Sequence, residues 1–321
     1  MRDQTSMPTL VLVNLGTPAA ASAAAVHTYL LEFLSDRRVV QLPHWLWLPL
    51  LRKVILPRRS PVVAHKYAEI WLPGGSPLAV HTGQLAHAVQ QRLPQWKVLH
   101  AMRYGAPSLA VTLQQLQAEG TSRVRVLPLY PQYSTTTTAS VADAVALHAQ
   151  GMQVHMLHDY HADAGWAQAI AASIHAHWAA HGRAEKLVLS FHGIPQRLVN
   201  QGDPYAAHCE GSATAIARAL GLPRSELLLT YQSRFGRERW LQPYTLPTLE
   251  ALARSGVKNV DVVCPGFAVD CLETLEEISM QNADAFRAAG GQALRYIPCL
   301  NASAAHAEAL AALAISDSGW V

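Results

Sequence analysis

Leu187-Val188-Leu189-Ser190-Phe191-His192-Gly193-Ile194-Pro195 is the stretch whose reading decides the fold. A short apolar run with β-branched and aromatic members reads as a buried strand. Gly193 and Pro195 end it, because glycine permits unusual backbone angles and proline removes a ladder donor. His192 therefore falls at the carboxyl end of a core strand, where open α/β sheets place their ligands. Two readings stand on this segment alone. His192 binds or relays protons at an active site, or it is a core histidine satisfied by its neighbours.

Outward from this strand, the same rhythm recurs. Thr9–Leu15 is a second apolar strand, closed by Gly16-Thr17-Pro18, with Leu15 standing where His192 stands. Strands are predicted near 96–102, 124–129, 154–157, 227–231, 260–263 and 293–297, with helical spacing between most of them. Alternating strands and helices give parallel sheets covered on both faces. The expected architecture is α/β, with two similar Rossmann-like, doubly wound domains and a cleft between them. The boundary is placed near residue 160, giving domains 1–160 and 161–321, with the last helix packing back on the first.

The 321 residues are 50% hydrophobic and 15% charged, with a formal net charge of +3. That composition suits a packed globular chain. No Lys/Arg cluster interleaves with aromatics, so nucleic acid is not an expected partner. Met1–Pro8 lacks the sections of a signal peptide, and no apolar run is long enough to span a bilayer. A cytoplasmic protein is expected. Four cysteines, Cys209, Cys264, Cys271 and Cys299, show no C-x-x-C spacing, which argues against a disulfide framework or a compact zinc knuckle.

Residues 30–60 form an apolar lip. Within it, Trp45, Trp47, Leu48, Leu50, Leu51, Ile55 and Leu56 are interrupted by Pro43, Pro49 and Pro57 and rimmed by Arg52, Lys53, Arg58 and Arg59. The segment reads as the edge of a site for a flat apolar ligand, as a patch resting on a membrane surface, or as a packed subdomain. The run Ser134–Thr138 opens a helix and is either an anion-binding turn or ordinary capping.

A second chemical signal is Asp270-Cys271-Leu272-Glu273-Thr274-Leu275-Glu276-Glu277. Asp270, Glu273 and Glu277 fall at i, i+3 and i+7, which puts three carboxylates on one face of an α-helix. Such a stripe suits a divalent ion or proton transfer. Capping by Asp270 and complementarity to the helix dipole are the structural alternative.

These motifs resemble those of the ferrochelatase family, in its short proteobacterial form, over nearly the whole chain. The resemblance rests on Leu12–Pro18, Phe33-Leu34-Ser35-Asp36-Arg37-Arg38-Val39, Gly74–Leu78, Met102-Arg103-Tyr104-Gly105 and Leu127–Ser134. Its most specific parts are Ser190-x-His192-Gly193-Ile194-Pro195 running to Gly202-Asp203-Pro204-Tyr205, then Tyr231–Gly236 and Cys264–Glu277. It implies the type II chelatase fold and insertion of Fe²⁺ into protoporphyrin IX to give protohaem, the last step of haem synthesis.

By that resemblance His192 and Glu273 are the catalytic pair and contact the iron, with Glu277 and Asp270 as an acidic path. Arg103, Tyr104, Trp240 and Leu15 line the porphyrin pocket. Arg37, Arg38 and Arg103 are candidates to pair with propionates. Cys271 stands where many eukaryotic members carry a second histidine. Thr135 and the lack of any cysteine after Cys299 imply no [2Fe–2S] cluster, and Leu15 favours protoporphyrin over coproporphyrin. A monomer with loose peripheral membrane contact is expected. Three rival readings are a chelatase for cobalt or nickel, a non-catalytic tetrapyrrole carrier, and a nucleotide-sugar transferase. The transferase is disfavoured by the absence of glycine-rich phosphate loops.

Overall fold

A computed structural model describes residues 7–321. The first six residues, most of the stretch read above for a leader, lie outside the described residues. The chain resolves into two compact units. One comprises the residues up to Tyr130, with Ser134–Asp159 and Ala302–Val321; the other comprises Pro131–Tyr133 and Tyr160–Asn301.

The first unit holds a four-stranded parallel sheet of β1 (Thr9–Gly16), β2 (Lys97–Tyr104), β3 (Arg123–Pro128) and β4 (Gln153–Met156), in the order β2-β1-β3-β4. The second repeats the plan with β5 (Lys186–His192), β6 (Leu227–Gln232), β7 (Asn259–Val263) and β8 (Ala293–Ile297), in the order β6-β5-β7-β8. Every pairing is parallel. Helices cover both faces of such a sheet, so its strands read as unbroken apolar runs. Accordingly Leu187–Phe191 is buried throughout, as is β1 except at Leu15. Val11, Val13, Leu113 and Val126 centre one core; Val188, Val260, Val262, Ile278 and Phe286 centre the other.

Gly16 closes β1 at φ 118°, and a Cβ there would lie 1.7 Å from the Tyr104 carbonyl oxygen. Only glycine lets β1 end against β2 this closely. The last helix, Ala304–Ile315, belongs to the first unit. Arg125 on β3 donates to the carbonyls of Ala314 (2.5 Å) and Ser316 (2.8 Å) at its end.

The lip departs from the sequence reading. Its prolines do not break it: α-helix His44–Leu50 runs through a π-helical turn, Leu51–Ile55, into α-helix Leu56–Ile70. The wide turn lets the Leu56 N–H reach the Leu51 carbonyl. Pro57 follows directly on this π turn and Pro49 lies just before it, so the prolines sit where the helix widens. Trp47, Leu51 and Leu56 face inward, whereas Trp45 is 79% exposed and Leu46 53%. Among the described residues, no helix is long and apolar enough to cross a membrane.

Candidate active site

In a parallel sheet of this order the strand order reverses between β5 and β7, and ligands bind beyond the carboxyl ends of the strands there. His192 ends β5 and pairs in register with Gln232 at the end of β6. The segment after β7 leads into Glu273. The three strand ends thus bring His192, Gln232-Ser233 and Glu273–Glu277 to one edge of the second unit.

His192 is held on several sides. Its Nδ1 lies 2.6 Å from the Gly193 carbonyl oxygen. A carbonyl only accepts, so Nδ1 is the donor there and Nε2 is the nitrogen left to face a substrate or ion. The His192 carbonyl accepts from the Tyr205 hydroxyl at 2.9 Å. Asp203 in turn receives the Tyr205 N–H, which explains the Gly202-Asp203-Pro204-Tyr205 motif. The Trp240 and Phe267 rings stand 6.3 and 6.4 Å from the imidazole. Trp240 is anchored by a bridge between its residue and Pro195, and by Leu241 N–H to the Ile194 carbonyl. Gly193 is required here, because a Cβ would stand 2.9 Å from the Gln232 carbonyl oxygen and 3.1 Å from the Trp240 ring.

Of the three carboxylates, Glu273 and Glu277 share a helix and Asp270 lies outside it. Glu273–Asn282 is π-helical, continuing into α-helix Ala283–Ala288. Asp270 precedes this helix, and its carboxylate is shared between Thr274 of the helix and residues 296–301. Its Oδ1 accepts from Tyr296 Oη (2.5 Å), the Cys299 N–H (3.2 Å) and Thr274 Oγ1 (3.3 Å), and its Oδ2 accepts from Asn301 Nδ2 (2.7 Å). Asp270 is therefore 5% exposed with its lone pairs engaged. Glu276, equally buried, accepts from Gln281.

Glu277 is gripped by Ser233 through the amide (2.8 Å to Oε1) and the hydroxyl (2.5 Å to Oε2). Burial pushes the Glu277 carboxyl up. The Ser233 bonds and the positive charge available to His192 pull it down, and the Glu273 charge pushes it further up, leaving it raised. Gln232 donates to the Glu273 carbonyl at 2.8 Å and accepts from Ser190 Oγ at 2.7 Å. Ser190 of the S-x-H motif thus acts on the π-helix through Gln232. Burial, with the Glu273 charge, pushes the Cys271 thiol well up. Cys271 is accordingly a neutral thiol, a poor stand-in for a ligating histidine.

The pocket residues expected from the other half form a separate cluster in the first unit. Arg103 donates to Asp36 Oδ2 (2.8 Å) and Ser140 Oγ (2.7 Å), and the Tyr104 hydroxyl donates to Asp36 Oδ2 at 2.7 Å. Burial alone would raise the Asp36 carboxyl. Bonds from Ser140, Tyr104 and the Arg38 amide, with the Arg103 charge, outweigh it and leave it lowered. Tyr104 is 1% exposed. Arg38 pairs with Asp143 at 2.7 Å, and Arg37 is exposed. Leu15 is half-buried at the end of β1. The Ser134–Thr138 turn closes on itself, with Ser134 Oγ accepting the Thr136 N–H.

Sequence reasoning overlooked Ser190, Tyr205, Gln232, Ser233 and Phe267 as individual site residues. All five lie inside the quoted motifs; only their contacts in the folded chain, around His192, Glu273 and Glu277, mark them out.

A ferrochelatase family profile matches residues 8–318. The chain is 57% identical over 315 residues to the ferrochelatase of Xylella fastidiosa strain 9a5c, covering 97% of this chain and 98% of that one. It is 59% identical over 311 residues to that of Stenotrophomonas maltophilia strain R551-3, covering 96% and 97%. It is 48% identical over 312 residues to that of Vibrio cholerae serotype O1, again covering 96% and 97%. Among solved structures, SirB from Bacillus subtilis with Fe³⁺ aligns at TM-score 0.53 and 11% identity, covering 96% of this chain and 94% of that one. DR2241 from Deinococcus radiodurans, described as similar to chelatases, aligns at 0.57 and 15%, covering 97% and 55%. Those two likenesses bear on the fold alone. The sequence matches run through every motif that builds the strand-end site, and the chain belongs to the ferrochelatase family.

Proposed function

We propose that His192 and Glu273 carry the reaction of this ferrochelatase, in which Fe²⁺ enters protoporphyrin IX and two pyrrole N–H protons leave. The observation that carries the assignment is the His192 imidazole at the end of β5. Its Nδ1 proton is spent on the Gly193 carbonyl, so Nε2 is available as base or ligand. A porphyrin presents its nitrogens in a plane, so insertion needs a bent ring, two deprotonations and delivery of a desolvated ion. The Trp240 and Phe267 rings beside His192 offer apolar surface against which a macrocycle can be held and bent. His192 Nε2 takes a pyrrole proton or contacts the entering ion. Glu273 binds the ion or accepts the second proton, and Glu277 passes protons or metal onward. Asp270, engaged by four donors, supports the helix entrance rather than the path. Leu15, Arg103 and Tyr104 are the first unit's porphyrin-lining residues in this reading, with Arg103 and Tyr104 acting through Asp36. Arg37 is the candidate for a propionate.

The test is anaerobic. Parent protein, His192→Ala and Glu273→Gln are mixed with Fe²⁺ and protoporphyrin IX, and loss of porphyrin fluorescence is followed beside growth of the haem spectrum. The parent is expected to turn over, with losses of roughly 10²- to 10⁴-fold in each variant. Turnover by His192→Ala at the parent rate would overturn the residue assignment. Porphyrin binding without haem formation by the parent would favour a carrier.

A specific feature also favours peripheral membrane contact by a monomeric enzyme. Leu42, Leu46, Leu50 and Val54 repeat every fourth residue and are exposed, beside Trp45 and next to exposed Arg52, Lys53 and Arg58. An apolar ridge edged by cations suits an interface with anionic headgroups. Liposome flotation of the parent and of Trp45→Glu/Leu46→Glu tests it, and a parent that stays at the bottom of the gradient sinks it. Trp47 is unsuited to this test. It is 6% exposed, and its indole N–H donates to the Leu34 carbonyl at 2.7 Å.

A further inference from the structure

Ser233 leaves β6 in the left-handed region, at φ 65°. A residue with a Cβ adopts that conformation only at a cost in strain, and such strain persists where surrounding interactions over-determine it. Here the compensating interaction is visible. Leaving the ladder frees the Ser233 N–H, which reaches Glu277 Oε1 at 2.8 Å, while its hydroxyl reaches Oε2 at 2.5 Å. One residue thus grips both oxygens of one carboxylate. The preceding Gln232 is 3% exposed and reaches Glu277 Oε2 at 3.4 Å, with its stronger bond going to the Glu273 carbonyl at 2.8 Å. The carboxylate plane is set by two donors on a short, strained turn, so Glu277 has little freedom to rotate.

We propose that Ser233 is a positioning residue of the metal-insertion site, acting through Glu277 by fixing both carboxylate oxygens rather than by touching substrate. The inference rests on the reading above that Glu277 serves the acidic path. It predicts that the Ser233 hydroxyl matters only while Glu277 is a carboxylate.

The experiment is a double-mutant cycle in iron insertion under anaerobic conditions, with Ser233→Ala, Glu277→Gln and the pair combined. Ser233→Gly serves as a control, because it also lacks the hydroxyl but relieves the backbone strain. Urea unfolding confirms that each variant is folded. Ser233→Ala and Ser233→Gly are expected to lower kcat by roughly 10- to 100-fold, the range for losing a bond to a charged group, with the porphyrin KM held. Added to Glu277→Gln, Ser233→Ala is expected to cost little more. Parent-like turnover of Ser233→Ala, with Glu277→Gln impaired, overturns the Ser233 proposal alone. The same loss on both backgrounds overturns it too, since Ser233 would then act without Glu277. A raised porphyrin KM with kcat unchanged would make Ser233 a substrate contact instead, also against the proposal. Parent-like turnover of Glu277→Gln removes the acidic-path reading itself.

Discussion

Replacing Asp270 by alanine separates an anchor from a path. The Asp270 carboxylate takes close bonds from Tyr296 Oη (2.5 Å) and Asn301 Nδ2 (2.7 Å), and longer ones from the Cys299 amide (3.2 Å) and Thr274 Oγ1 (3.3 Å). Each close bond to a charged acceptor contributes about 1.5–3 kcal/mol, and the longer two add little. The substitution should therefore cost about 3–6 kcal/mol, with stranded buried donors accounting for much of it. For a unit of this size that is a fall in melting temperature on the order of 10 °C. Asp270→Asn keeps one acceptor oxygen and should cost about half as much. The assay pairs urea unfolding with iron insertion measured at a temperature where every variant is folded. Asp270→Ala should lose stability while its folded fraction retains much of its activity, and Glu273→Gln should show the reverse. If Asp270→Ala unfolds like the parent yet inserts no iron, Asp270 belongs to the acidic path and the anchor argument is wrong.

Asp36 gives a pH prediction. Its folded carboxyl lies below the ordinary 3.8, so its ionised form contributes stability above that pH, and the contribution is lost as pH falls through the lower folded value. Asp36→Asn should destabilise the protein at pH 7, with a gap to the parent that narrows as pH drops below about 4; a urea midpoint gap that stays constant contradicts the assigned network. Gly193→Ala should cost about 1–3 kcal/mol, because the new methyl meets a backbone oxygen and the Trp240 ring rather than a flexible chain end. It should also lower iron insertion by displacing the carbonyl that holds Nδ1 of His192, and parent-like kinetics would show that this contact does not position the imidazole.

The strands were legible because their signal is local. Leu187–Phe191 and Thr9–Gly16 are mostly apolar and almost wholly buried since both faces of a parallel strand are covered, and glycine marks where each stops. His192 was legible for the same reason, as a polar residue ending such a run. The motifs Phe33–Val39 and Met102–Gly105 could be recognised as related to a family, but not as two halves of one cluster. Asp36 meets Arg103 and Tyr104 across more than sixty positions of chain.

The carboxylate helix shows where sequence pattern fails. Spacing at i, i+3 and i+7 assumes an α-helix beginning by Asp270, whereas Glu273–Asn282 is π-helical and Asp270 lies outside it. Tyr296, Cys299 and Asn301, all distant in sequence, decide where that carboxylate points. The lip prolines were misread for a related reason. Their helix-breaking effect is a local tendency, and the π turn between Pro49 and Pro57 accommodates it. Trp45 and Trp47 are alike in composition, yet one faces solvent and the other donates to Leu34.

The sequence by itself determined the alternation of strands and helices, the ends of the core strands and the identity of His192 and Glu273 as candidates, because burial and turn chemistry act over a few neighbouring residues. Tertiary structure alone decided which carboxylate is gripped by Ser233 and which is anchored by Tyr296 and Asn301. Those outcomes depend on hydrogen bonds between separate strand ends, whose directions no local pattern encodes.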